Sequence, residues 1–173
     1  LPILTKIDEH RGDTDAESVQ VVTLVPTREL ALQVSQVFKR LGQFLSGGVS
    51  VLAVIGGVPL DDQIVALKKG VAVVVATPGR LLDLVGRGVI DLDHVHTLVL
   101  DEADKLLDVG FTEELNTFIE GMPTNRQTLL FSATLPPQVV DLGKRILRNH
   151  SLVRLAERHA PVDAVTQRVF QVE

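Results

Sequence analysis

The sequence predicts an α/β domain built on a mostly parallel sheet, and three observations carry that prediction. Short runs rich in Val, Ile and Leu recur at 21–25, 49–55, 71–76, 95–100 and 128–131, with a weaker run at 152–155. The runs are continuous rather than alternating, as strands buried on both faces require. Between them, apolar residues step at three- and four-residue intervals, the spacing of a helix with one buried stripe. Strand–helix alternation at this rhythm closes into a parallel sheet through right-handed crossovers.

The elements follow in chain order. The polar stretch 8–20, DEHRGDTDAESVQ, reads as a surface loop ahead of the first strand. After that strand, Leu30, Val34, Val37, Phe38, Leu41 and Phe44 predict one helical stripe. Ile64 with Leu67, Leu81 with Leu84 and Val85, and Leu115 with Phe118 and Ile119 predict further helices after the later strands. Pro136-Pro137 marks the start of another.

At 173 residues the chain suits a single domain spanning 1–173, and 45% hydrophobic with 23% charged residues is a globular composition. No run approaches the roughly 20 apolar residues needed to cross a bilayer, so no membrane partner is expected. Neither disulfides nor thiolate metal sites can form without cysteine, which fits a reducing, intracellular compartment. The five histidines supply no i, i+4 ligand pair. A net charge of −5 argues against holding nucleic acid by bulk charge. Any such role needs a few placed groups or a partner domain.

Ligands of parallel sheets bind beyond the carboxyl ends of the strands. The residues after the successive runs are Pro26-Thr27-Arg28-Glu29, Gly56-Gly57, Thr77-Pro78-Gly79-Arg80, Asp101-Glu102-Ala103-Asp104 and Ser132-Ala133-Thr134. Five polar clusters on one edge point to a single extended site. Each also has a plainer reading. Asp101 or Asp104 could cap a helix starting near Lys105, and Thr77 with Pro78 has the chemistry of a helix start. Gly56-Gly57 could be an ordinary turn, and Ser132-Ala133-Thr134 could cap the helix after the proline pair. Gly79 and Arg80 fit phosphate better, since exposed amides at a helix start and a guanidinium fork both favour it.

Taken together, PTRELALQ (26–33), GG (56–57), TPGR (77–80), DEAD (101–104) and SAT (132–134) resemble, in order and separation, the first RecA-like domain of the DEAD-box RNA helicases. Gln63 and LLDVGF (106–111) extend the resemblance through essentially the whole chain. It implies a RecA-like three-layer fold, with ATP and Mg²⁺ as cofactors and RNA as partner. By that resemblance Asp101 coordinates the metal, through water, and Glu102, beside it in the metal site, activates the hydrolytic water. Asp104 hydrogen-bonds toward Ser132-Ala133-Thr134, which links nucleotide state to RNA binding and strand opening. Pro26, Thr27, Arg28, Gly56, Gly57, Thr77, Pro78, Gly79 and Arg80 hold the sugar–phosphate backbone of one RNA strand, giving placement without sequence readout.

The family's phosphate-binding loop, G-x-x-x-x-G-K-[ST], is absent. Gly143-Lys144 is followed by Arg145, and Gln138 stands where the first glycine belongs. LPIL (1–4) resembles the tail of the helix that begins at that loop. The expectation is therefore an N-terminally truncated domain, inactive alone, whose missing strand lies beside the one carrying Ser132. VTQRVFQVE (165–173) resembles the approach to a second RecA-like domain, the implied intramolecular partner. A non-catalytic RNA clamp or scaffold on the same fold is the alternative, and a DNA translocase of the wider superfamily a weaker one. An upstream A-x-T-G-x-G-K-[ST] segment separates enzyme from clamp.

Overall fold

Five strands, β1 (Val21–Leu24), β2 (Val51–Val54), β3 (Val73–Ala76), β4 (Thr97–Leu100) and β5 (Gln127–Leu130), form one all-parallel sheet in the order β2-β3-β1-β4-β5. The computed structural model describes residues 2–9 and 18–154. Pairing is flush: Val21 lies opposite Val73 and Thr97, Val73 opposite Val51, and Thr97 opposite Gln127. All five strands therefore end at one level.

Continuous apolar runs form these strands because helices cover both faces. Val22, Leu24, Val74, Ala76, Leu98 and Leu100 pack on one face with Leu81 and Leu84 of α4 (Pro78–Gly86), Leu106 of α5 (Ala103–Asp108), Leu115 and Phe118 of α6 (Thr112–Gly121), and Leu142 and Ile146 of α7 (Pro137–Ile146). Leu67 of α3 (Leu60–Leu67) joins the same cluster. Val21, Val25, Val51, Val73 and Val75 pack on the other face with Leu4 and Ile7 of α1 (Pro2–Glu9) and Ala31 of α2 (Arg28–Gly42). The result is three layers, helix–sheet–helix.

Two expectations need correction. The weaker run at 152–155 forms no strand over its described part, 152–154. Leu152 and Val153 are exposed, so their apolar character does not mark a buried element. The stripe of α2 is also narrower than expected: Leu30, Val34, Phe38 and Leu41 pack toward the sheet, but the other two residues assigned to it do not. Ala31, Ser35 and Gly42 are its buried residues, while Val37 and Phe44 face solvent. Small residues let this helix lie close on the sheet, and a reading weighted toward large apolar side chains passes over them. The connector at 8–20 and the segment at 165–173 fall largely or wholly outside the described residues.

Candidate functional site

Parallel, flush strands send all five polar clusters out of the same edge. Strand order then sorts them. The Gly-Gly, Thr-Pro-Gly-Arg and Pro-Thr-Arg-Glu segments follow β2, β3 and β1, three neighbours on one half of the sheet. The Asp-Glu-Ala-Asp and Ser-Ala-Thr segments follow β4 and β5, the other half.

The first group forms a shallow cleft of about 560 Å³ lined by Pro26, Thr27, Arg28, Gly56, Thr77, Gly79 and Arg80, together with Glu29, Asp83 and Phe111. Thr27 caps α2, its hydroxyl accepting from the Leu30 amide at 3.2 Å. That cap starts the helix at Arg28, whose guanidinium lies over the glycine pair. A Cβ on Gly57 would collide with it, and Gly57 also has φ +78°, which disfavours any side chain. Arg80 donates to the Val58 carbonyl at 3.1 Å. Thr77 occupies the cap position of α4, but its hydroxyl makes no capping bond, so the helix starts on the fixed φ of Pro78. Pro78 is buried and shapes the turn from behind the cleft.

In the second group the three clustered acids are kept apart by separate partners. Asp101 extends the ladder, its amide donating to the Leu24 carbonyl at 3.0 Å, and its Oδ1 accepts from the Glu102 amide at 2.9 Å. Glu102 stands at φ 51°, ψ 51°, left-handed backbone that costs a non-glycine residue about 1–3 kcal/mol and clusters at functional sites. Its carboxylate pairs with Lys105 Nζ at 3.0 Å. Asp104, buried, accepts at Oδ2 from the Thr134 hydroxyl (2.7 Å) and amide (3.0 Å), and at Oδ1 from the Lys105 amide (3.0 Å). The Asp104 amide donates to Ser132 Oγ at 3.2 Å, and that hydroxyl donates to the Thr134 carbonyl at 2.6 Å. Burial alone would raise the Asp104 pKa, but hydrogen bonds from Thr134, Lys105 and Ser132 outweigh it and hold the carboxyl below its ordinary range. Ala133 is exposed between the two hydroxyl residues.

Neither capping alternative survives for these segments. Glu102, with no side-chain capping bond, occupies the cap position of α5, and Pro136 that of α7. Ser132 and Thr134 serve Asp104 instead. Gly143 is a buried residue inside α7, and Lys144 pairs with Asp141, so that dipeptide offers no phosphate loop.

The sequence matches the DEAD/DEAH box helicase family over residues 1–142. The chain belongs to that family. It is 44% identical over 155 residues to the ATP-dependent RNA helicase CshA of Listeria monocytogenes, covering 90% of this chain and 28% of that protein. It is 41% identical over 173 residues to the DEAD-box ATP-dependent RNA helicase CshA of Streptococcus pneumoniae, covering all of this chain and 32% of the relative. The CshA protein of Geobacillus kaustophilus is 39% identical over 172 residues, 99% of this chain and 35% of its own. The chain thus spans about a third of the length of the curated relatives it matches. For a DEAD/DEAH box domain, the five-stranded parallel sheet covered on both faces is the RecA-like arrangement.

Among the described residues no group of three or more His, Cys, Asp or Glu could hold a metal, and no helix is long and apolar enough to cross a membrane. The DEAD/DEAH box segment still suits magnesium, which takes one or two carboxylates and completes its shell with water and substrate phosphates. Asp101 supplies a hard, half-buried oxygen donor, one of whose oxygens meets no donor among the described residues. Asp83 and Phe111 line the cleft without having been singled out. Asp83 had a signal, standing one turn after Arg80 on α4, where i and i+3 share a face. Phe111 closes the LLDVGF segment that extends the resemblance, but its place in the cleft depends on the α5–α6 turn, which brings it in from another part of the chain.

Proposed function

We propose that the full-length protein is an ATP-dependent RNA helicase that couples ATP binding and hydrolysis to RNA binding and local remodelling of duplexes or RNA–protein complexes. The observation that carries this reading is the sorting of one sheet edge into a glycine-lined cleft carrying Arg28 and Arg80 and an adjoining acidic cluster tied to Ser132 and Thr134. The relatives named as ATP-dependent RNA helicases support it.

Arg28, Arg80 and the exposed backbone of Thr27, Gly56, Gly57 and Gly79 hold phosphates and sugars of one RNA strand, with Pro26, Thr77 and Pro78 shaping the turns that present them. Contacts of this kind position a strand without reading its bases. Asp101, with Glu102 beside it, would hold Mg²⁺, which when bound would supply positive charge against the nucleotide phosphates. Glu102 orients the attacking water and accepts its proton. Asp104 ties this cluster to the Ser132-Ala133-Thr134 segment, so a shift at the nucleotide is felt there. A second RecA-like domain completes both grips, and the 173-residue chain alone, without a phosphate-loop sequence, is expected to hydrolyse no ATP.

Arg80→Ala in the full-length protein is expected to weaken single-stranded RNA binding about tenfold, the size of one charge-assisted contact, by a similar factor for unrelated sequences. Fluorescence anisotropy against several oligonucleotides measures this. A loss confined to one sequence contradicts backbone recognition, and RNA binding without any RNA-stimulated ATP hydrolysis in the unmutated protein assigns a non-catalytic clamp instead.

A further inference from the structure

Gln63 is a polar side chain only 3% exposed, on α3. Its amide faces the backbone of Ile55 at both ends. Oε1 accepts from the Ile55 amide at 3.0 Å, and Nε2 donates to the Ile55 carbonyl at 3.2 Å. This is the two-point pairing that one strand residue offers another, placed just past the end of β2, an edge strand bonded only to β3. Nε2 also lies 3.5 Å from the Val58 carbonyl, the same oxygen that receives the Arg80 guanidinium. One buried side chain thus pins Ile55 and Val58, the residues on either side of Gly56-Gly57, and shares one of its anchors with Arg80.

We infer that Gln63 is a positioning residue for RNA: it touches no ligand but sets the height of the Gly56-Gly57 backbone and the seat on which Arg28 rests. Resting on the proposed RNA role of the cleft, this inference adds a determinant of affinity that lies beneath it. Glycine supplies freedom at Gly57, and freedom has to be removed again before a backbone can meet a phosphate at a fixed distance. Gln63 removes it from below and Arg80 from the side.

The test is Gln63→Met in the full-length protein, a substitution of similar length that leaves no donor or acceptor of comparable strength. The RNA concentration giving half-maximal stimulation of ATP hydrolysis is expected to rise about tenfold, the effect of losing one buried hydrogen-bond anchor. The rate at saturating RNA and the nucleotide affinity without RNA are expected to stay as in the unmutated protein. Gln63→Leu, which likewise removes the acceptor and both donations without burying a charge, is expected to give the same split should Gln63→Met fail to fold. In an Arg80→Ala background the Gln63 substitution is expected to add less than it does alone, because both act on the Val58 carbonyl. An RNA requirement within twofold of the unmutated protein overturns the inference, as does an equal loss of RNA response and nucleotide affinity, which marks general damage to packing. Failure of the unmutated protein to bind single-stranded RNA is a different result, since it removes the RNA reading of the cleft itself.

Discussion

Glu102→Gln in the full-length protein is expected to lower ATP turnover by about 10²–10⁴-fold, the contribution of a positioned general base, while nucleotide and RNA binding persist. The amide is nearly isosteric with the carboxylate, so the left-handed turn at Glu102 and the ladder bond from Asp101 to Leu24 have no reason to change. What disappears is the group that takes a proton from water, together with the ion pair to Lys105, a partly exposed pair of small energetic weight. Single-turnover hydrolysis with saturating RNA separates the chemical step from binding. Undiminished hydrolysis would show that Glu102 is not the base and would leave its backbone conformation without a function.

Asp104→Ala is expected to act on stability and on coupling at once. Three donors, the Thr134 amide and hydroxyl and the Lys105 amide, lose their acceptor. Because Thr134 is exposed, water replaces part of what is lost, and the expected cost is about 1–3 kcal/mol by urea denaturation. The cost depends on pH in a defined direction. Asp104 is held below its ordinary value of 3.8, so its contribution is complete above that range and fades as pH falls through the lower, folded value. Asp104→Asn is expected to flatten this acid limb, and an acid limb identical to that of the unmutated protein would contradict the assignment. In the full-length protein, strand separation per ATP hydrolysed should fall at least about tenfold in Asp104→Ala, since the Ser132–Thr134 segment is no longer tied to the acidic cluster. Equal losses of hydrolysis and strand separation would make Asp104 a purely structural acid.

The strands were legible because burial leaves a local mark, an apolar run, strongest in β1, β3 and β4, which are buried throughout, and weakest in the edge strand β5, Gln127–Leu130, which is partly exposed. The same rule overreached at 152–155, where Leu152 and Val153 are apolar but exposed. Helix α2 was legible as a helix and in its rotation, with Leu30, Val34, Phe38 and Leu41 all packing toward the sheet, but its most buried positions, Ala31, Ser35 and Gly42, carry little hydrophobic signal. For the site, one rule about strand ends in parallel sheets found all five clusters. Resemblance divided them by role, but their spatial order along the edge was not legible, since strand order depends on crossovers rather than on any local pattern. Gln63 shows the same limit. A buried glutamine in a helix has no sequence mark separating it from an exposed one until Ile55 and Val58 are seen beside it.

Amide hydrogen exchange of the full-length protein, alone, with single-stranded RNA, and with a non-hydrolysable ATP analogue, tests the two-part edge most directly. RNA is predicted to slow exchange at Thr27–Leu30, Gly56–Val58 and Gly79–Arg80, and the nucleotide at Glu102 and Ser132–Thr134, all at the carboxyl ends of the strands. Slowing centred instead on Gly70 and on residues 91–95, which precede β3 and β4 at the opposite end of the sheet, would contradict the account.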